Sequence, residues 1–272
     1  MDIKRVTSAL LGFPLVVIIL AFGNTYVVDI FLAFIAMLGM QEYFNAVSKE
    51  AKPVRWLGYT ACSSIAMIHI IPKIFNIRLQ NEILMLIVPT LILILFLHVI
   101  ITNMKINFKD IAYTLFGIIY VIGCIIFLAL LRGMTNGRIL IWYAIIAAWG
   151  TDIFAYLIGK RFGKHKFSEV SPKKSIEGCI AGIIGAIVIA NLYTLAINKI
   201  FDLQYSYLCI VIITAILSIV GQVGDFAASS IKRYVNIKDY SNLIPGHGGM
   251  LDRIDSLMFL APFAYVLICM TL

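Results

Sequence analysis

The sequence predicts an all-α fold, a polytopic integral membrane protein of about nine transmembrane helices with its N-terminus in the cytoplasm. Three observations lead there. Hydrophobic residues make up 61% of the 272-residue chain and charged residues 13%, and the mean hydropathy is +0.97; a soluble domain has roughly 45–50% apolar and about 25% charged residues. Apolar runs long enough to cross a bilayer recur along the whole chain. The basic residues fall mainly in alternate loops between those runs.

The candidate spans are about 7–23, 26–46, 56–72, 83–102, 111–131, 139–159, 178–198, 206–228 and 256–272. The first follows Lys4 and Arg5 and has the look of a signal peptide. Because the remaining runs are also apolar, it is read as an uncleaved first span. Only Asn24-Thr25 separates it from the second, which predicts a tight helical hairpin. No linker, low-complexity tract or repeat interrupts the chain. One membrane-embedded domain over 1–272 is expected, with its polar, active-site half at about 145–256.

An odd span count puts the termini on opposite sides. All of the 22 basic residues except Lys73, Arg78, Arg132, Arg138 and Lys199 then lie on the N-terminal side. Cytoplasmic loops carry the excess of Lys and Arg, so that side is placed in the cytoplasm, with the protein in the cell's inner or plasma membrane. The net charge of +8 sits in short loops. It suits topology and anionic headgroups or phosphates, and gives no reason to expect a nucleic-acid partner. Cys62, Cys124, Cys179, Cys209 and Cys269 all lie in apolar segments without a CxxC pair, as buried reduced thiols do.

Polar groups within spans are costly and need a reason. Asp29 and Glu42 fall in the second span, where an interfacial anchor or a packing hydrogen bond accounts for them. His69 and His98 read as packing residues. Asp152 shares a helical face with Ala155, Tyr156 and Gly159. That stripe of small residues admits either a ligand or a neighbouring helix. The following loop, Gly159 to Gly178, holds six Lys or Arg and His165. Ser175 with Glu177 reads as a helix cap, and Lys173 and Lys174 beside that helix start suit a phosphate.

The densest polar stretch runs from Gly221 to Asp255, leaving the apolar helix in which it begins. Asp225, Ser229 and Lys232 are spaced i, i+4, i+7 and share one helical face. A carboxylate at that depth needs a metal or a lysine partner. Pro245, Gly246, Gly248 and Gly249 imply irregular backbone with amides free to face an anion. Asp252, Arg253 and Asp255 follow at the mouth of the last span. Magnesium takes carboxylate, water and phosphate oxygens, which Asp225 and Asp252 would suit. Lys232, Arg233, Lys238 and Arg253 could neutralise a polyphosphate. Zinc-ligand spacing, a Walker A loop and GxSxG are absent.

Ser229-x-Ile231-Lys232-Arg233, Lys238-Asp239-x-Ser241 and Ile244-Pro245-x-His247-Gly248-Gly249-Met250-x-Asp252-Arg253-Ile254-Asp255 together resemble the signature of the phosphatidate cytidylyltransferase (CDP-diacylglycerol synthase) family. Asp152-x-x-Ala155-Tyr156-x-x-Gly159-Lys160-x-Phe162-Gly163-Lys164 and Ser171-Pro172-Lys173-Lys174-Ser175-x-Glu177-Gly178 resemble it too. Ile176 stands where members often carry an aromatic residue, and Ser168 where proline is common.

The resemblance implies a membrane enzyme that transfers the cytidylyl group of CTP to phosphatidate in the bilayer, giving CDP-diacylglycerol and pyrophosphate. It implies Asp225 and Asp252 as ligands of Mg²⁺, with room for a second metal ion. Asp225, Asp252, Lys232 and Asp152 become the catalytic set. Lys173, Lys174, Ser229, Arg233, Lys238, His247, Gly248, Gly249 and Arg253 become contacts to substrate phosphates. It further implies an active site facing the cytoplasm and a homodimer. A CTP-dependent lipid-alcohol kinase fits the C-terminal signature less well. A transporter would need paired discontinuous helices, whereas the polar residues here crowd into the second half of the chain.

Overall fold

The computed structural model describes residues 3–75, 86–167 and 174–272. Among these the chain forms eleven α-helices and one π-helical turn. They are α1 (Ile3–Phe22), α2 (Thr25–Val47), α3 (Arg55–Met67), α4 (Ile70–Phe75), α5 (Ile87–Ile101), α6 (Phe108–Gly117), the π turn Ile118–Ile122, α7 (Gly123–Gly133), α8 (Gly137–Phe162), α9 (Ile176–Phe201), α10 (Tyr207–Tyr234) and α11 (Leu251–Thr271). No strand occurs among the described residues, only isolated bridges between Lys166 and Ser175 and between Ile244 and Gly248. Among the described residues, six helices are long and apolar enough to cross a membrane: Thr25–Val47, Phe108–Gly133, Gly137–Phe162, Ile176–Phe201, Tyr207–Tyr234 and Leu251–Thr271. The protein is a helical, multi-pass membrane protein.

Two of the expected spans take other forms. Among the described residues the fourth is the 15-residue apolar helix α5. The third segment breaks near Ile68-His69 into α3 and α4. Two boundaries also differ. The eighth segment, expected to end near residue 228, continues as α10 to Tyr234. The last helix starts at Leu251, so Asp252, Arg253 and Asp255 lie inside its opening turns. A hydropathy window ends where charge begins, whereas the backbone hydrogen-bond ladder runs on.

The chain divides into two compact units, 1–129 with 239–251, and 130–238 with 252–272. In the first, Asn24 caps α2 by accepting from the Val27 N–H at 2.9 Å. Asn107 and Asp110 form a reciprocal capping box at the start of α6, at 3.0 and 2.9 Å. Asp110 also accepts from the Lys52 N–H at 2.6 Å, and Thr114 from the Val54 N–H at 2.8 Å, so the α2–α3 loop is pinned to α6. Tyr43 lies against Gly117 and donates to the Tyr113 carbonyl at 3.1 Å, one turn before the π segment. Asp29 and His69 pair at 2.8 Å, so neither stands alone, and His98 packs edge-on against Trp56.

In the second unit α8 and α9 form the most extensive helix pairing. Lipid is as apolar as leucine, so close backbone approach, not burial from water, has to hold such a pair. Small residues provide it. A Cβ on Gly182 would lie 2.8 Å from the Thr151 carbonyl oxygen, and one on Gly178 equally close to that of Ala155. The small-residue stripe beside Asp152 thus seats a helix. Thr151 and Ser218 hydroxyls, 2.6 Å apart, bond α8 to α10.

Candidate active site

The polar residues of the second unit converge on one face of α10. Asp225, Ser229 and Lys232 lie along it at the expected helical spacing. Gly224 makes the next step possible. A Cβ there would lie 2.6 Å from the Phe259 Cβ and 3.0 Å from the Asp255 carbonyl oxygen. With hydrogen in its place, α11 lies directly against α10. The Lys232 ammonium donates to Asp252 Oδ1 at 2.6 Å, and Asp252 is buried. Asp255, one helical turn on, is buried too and accepts from the Ser256 N–H at 2.8 Å.

A second ion pair joins the Lys174 ammonium to Asp225. Lys174 also lies over the Phe226 ring, 4.7 Å from its centroid. Asp225 therefore makes the lysine salt bridge that the sequence leaves as the alternative to a metal. Asp152 interacts with Asp225 as a like charge and with Lys174 and Arg253 as opposite charges. Asp255 likewise lies within electrostatic reach of Asp225, Asp152 and Lys232. Four carboxylates thus share a neighbourhood with Lys174, Lys232 and Arg253. Like charges so gathered demand cations, and the oxygen-only donor set is of the kind magnesium takes. Among the described residues, no three His, Cys, Asp or Glu side chains stand together as a ready ligand group.

Two hollows adjoin the cluster. One, of about 410 Å³, is lined by Asp152, Tyr156, Lys160, Lys174, Ser175 and Gln222 among others. It opens at the start of α9, which Ser175 caps by accepting from the Gly178 N–H at 3.1 Å. Glu177 ties back the preceding loop, with His165 Nδ1 at 2.7 Å from its Oε1 and the Lys164 N–H at 3.2 Å. The other hollow, of about 610 Å³, is an apolar groove between α9 and α10 with Ile176, Ile180, Ile183, Val223 and Phe226 in its walls. Cys179 and Gln222 line both. The cavity lined by Asp152, Lys160 and Lys174 therefore shares a wall with the apolar groove.

The remaining residues picked out from sequence are placed as follows. Arg233, Lys238 and Arg253 are exposed. Arg253 lies within electrostatic reach of Asp152. Lys173 lies outside the described residues. His247, Gly248 and Gly249 belong to the first unit, in a tight loop where the Ile244 N–H donates to the Gly248 carbonyl and the His247 N–H to that of Ile244, both at 2.9 Å. Gly246 and Gly248 take φ of 76° and 84°, a region L side chains avoid.

Two residues gain importance that sequence reasoning leaves without a role in the site. Asp255 joins the carboxylate group, and its i+3 spacing from Asp252 was the available signal. Glu42 accepts from the Ser241 hydroxyl at 2.6 Å and from the Met250 and Leu251 N–H groups at 2.9 and 2.7 Å. The hydrogen-bonding explanation for it holds in kind, but its partners are in the signature loop, and nothing local in the sequence announces them.

Comparison with known proteins agrees with this layout. The sequence matches the cytidylyltransferase family over residues 3–271. A phosphatidate cytidylyltransferase of Staphylococcus haemolyticus is 31% identical over 272 residues, covering 97% of this chain and 98% of that protein. One from Bacillus subtilis is 35% identical over 181 residues, 66% of each chain. One from Staphylococcus aureus is 36% identical over 173 residues, 63% of this chain and 64% of the relative. A match that runs almost end to end, in a helical membrane protein whose charged residues gather where the signature lies, means that this chain belongs to the cytidylyltransferase family.

Proposed function

We propose that the protein is a phosphatidate cytidylyltransferase, converting CTP and phosphatidate to CDP-diacylglycerol and pyrophosphate. The observation that carries this reading is the carboxylate–lysine cluster beside a cavity that Asp152, Lys160 and Lys174 line and that shares its wall with an apolar groove. A lipid phosphate needs both surfaces at once, a charged pocket for its head and an apolar track for its chains.

In this reaction a phosphate monoester oxygen of phosphatidate attacks the α-phosphorus of CTP. The new P–O bond forms as the bond to the β-phosphate oxygen breaks, and pyrophosphate carries away the electron pair. Both reactants are anions, so alignment and charge neutralisation make up most of the work. The attacking oxygen is already ionised, and no strong general base is required. Lys174, Lys232 and Arg253 supply positive charge at the cluster, and Lys173, Arg233 and Lys238, close to them in sequence, would add to it. Ser229, on the same face of α10 as Lys232, can donate to a phosphate oxygen. Asp225 and Asp252 would hold Mg²⁺, which when bound supplies counter-charge to the phosphates. Asp152 and Asp255 add negative charge that draws in the lysines and would help retain a bound cation. His247, Gly248 and Gly249 present a turn suited to the pyrophosphate end of CTP.

The charge pattern supports nine membrane crossings, an N-terminus in the cytoplasm and a site open to cytoplasmic CTP. Phosphatidate would enter sideways, its chains never leaving the bilayer. The whole chain is taken to act as one catalytic domain, and as a homodimer by likeness to the family.

The test is pyrophosphate release by purified protein in mixed micelles with phosphatidate, Mg²⁺ and each nucleoside triphosphate in turn. Release that requires both CTP and phosphatidate, with CDP-diacylglycerol formed, is the expected result. No release with any nucleotide from folded protein would overturn the assignment. Substrate uptake into sealed vesicles without nucleotide turnover would point to transport instead.

A further inference from the structure

The signature loop is held by a carboxylate from the other end of the chain. Glu42 sits near the end of α2 and is only 4% exposed. A buried carboxylate is costly unless donors surround it. Glu42 meets three, and all lie in one short segment. Its Oε1 accepts from Ser241 Oγ and from the Met250 N–H, while Oε2 accepts from the Leu251 N–H. One side chain thus grips both ends of the stretch that holds Pro245, Gly246, His247, Gly248 and Gly249.

The grip on the far end is made at a helix start. Leu251 is the first residue of α11, and its N–H is among those with no partner within the helix. A negative charge is favoured there by the helix dipole. Asp252 and Arg253 follow along the same backbone. Gly249 shows how closely the parts fit. A Cβ on that residue would lie 2.6 Å from Glu42 Oε2, so the carboxylate occupies the space a side chain would need. The Ser241 hydroxyl also accepts from the Leu243 N–H at 3.1 Å, which passes the restraint on into the loop.

We infer that Glu42 is a positioning residue for nucleotidyl transfer: its carboxylate fixes the Ser241–Leu251 loop and the first turn of α11 in the conformation that receives the phosphates of CTP. This rests on the cytidylyltransferase reading for the identity of the ligand, but the anchoring itself does not. It also gives the N-terminal half, which carries little of the family signature, a definite part in the reaction. Two chemical features set the requirements. Both oxygens are used as acceptors, so Glu42→Gln turns an NH₂ toward a donor at one of the two positions. Glu42→Asp retains the charge but withdraws it by one methylene.

The experiment uses full-length protein in mixed micelles and two readouts. Amide exchange over residues 241–251 reports the anchor whether or not the protein turns over. Steady-state kinetics report its consequence. Glu42→Gln is expected to speed exchange in that segment, to raise the KM for CTP at least about tenfold and to lower kcat/KM for CTP roughly 10²-fold, as a misplacement of about 1 Å does. The KM for phosphatidate should stay near that of the wild type. Ser241→Ala should act in the same direction, and the double variant should be little worse than Glu42→Gln alone, because the two residues share one hydrogen bond. Glu50→Gln, at an exposed pair with Lys109, is the control and should move neither readout.

A merely structural role predicts something different: less active enzyme, with the surviving fraction keeping its KM for CTP. That result, or unchanged exchange over 241–251, overturns the inference. If Glu42→Gln fails to fold, Ser241→Ala and Glu42→Asp decide by the same two readouts. Wild-type protein without CTP-dependent turnover would defeat the functional reading separately. Exchange would then judge the anchor alone, with acceleration supporting it and no change overturning it.

Discussion

Asp225 and Asp252 each face a lysine, Lys174 for the first and Lys232 for the second. Removing one partner of such a pair leaves an uncompensated charge where water is scarce. Asp225→Asn and Asp252→Asn should each lower turnover roughly 10²–10³-fold or more while the protein still inserts and folds. Pyrophosphate release and detergent gel filtration check the two halves of that statement, and near-normal activity in both variants would remove these residues from the site. Gly224 makes a different kind of contribution. Gly224→Ala drives a methyl into Phe259 and the Asp255 backbone, and should cost about 1–3 kcal/mol of stability. Thermal unfolding in micelles measures it. Asp225, Lys232 and Asp252 were legible because charge inside an apolar run is conspicuous. Asp255 was visible as a residue but not as a participant, since its role depends on α11 starting at Leu251, before the apolar run does.

Elements were legible where a local signal exists. Ser175 caps α9 as its position before Glu177-Gly178 suggests. Ser175→Ala should cost about 1 kcal/mol of stability. The end of α10 was less legible, because the apolar run stops near residue 228 while the helix continues to Tyr234. The stripe beside Asp152 left a ligand and a helix as alternatives, and a helix packs on it. Gly182 and Gly178 of α9 fill it from one side, and the cavity lined by Asp152 and Lys174 opens beside them. The groove between α9 and α10 leads to a sharper test. Ile180 lines it without belonging to the charged cluster. Ile180→Trp should raise the KM for long-chain phosphatidate several-fold, about the effect of one or two lost methylene contacts, and leave the KM for CTP unchanged. A shift in the CTP value would mean that the groove does not take the acyl chains.

Across the whole molecule the basic residues set the expected orientation. In a cysteine-free background, Lys49→Cys should react with an impermeant thiol reagent only from the cytoplasmic side, and Arg138→Cys only from the opposite side. Both positions are exposed. Labelling of both from one side would overturn the three crossings expected between them. The membrane character, the helical class, the family and most of the charged cluster could be read from the chain alone. Each depends on composition, on runs of twenty residues or on a motif whose members are neighbours in sequence. The pairings could not. Ser241 lies 199 residues from Glu42, and Asp252 lies 20 from Lys232. Whether such residues meet depends on how helices pack, and in a bilayer that is set by small residues and hydrogen bonds scattered among many equally apolar positions. Hydropathy records that a segment enters the membrane. It does not record which neighbour its one polar side chain will find there.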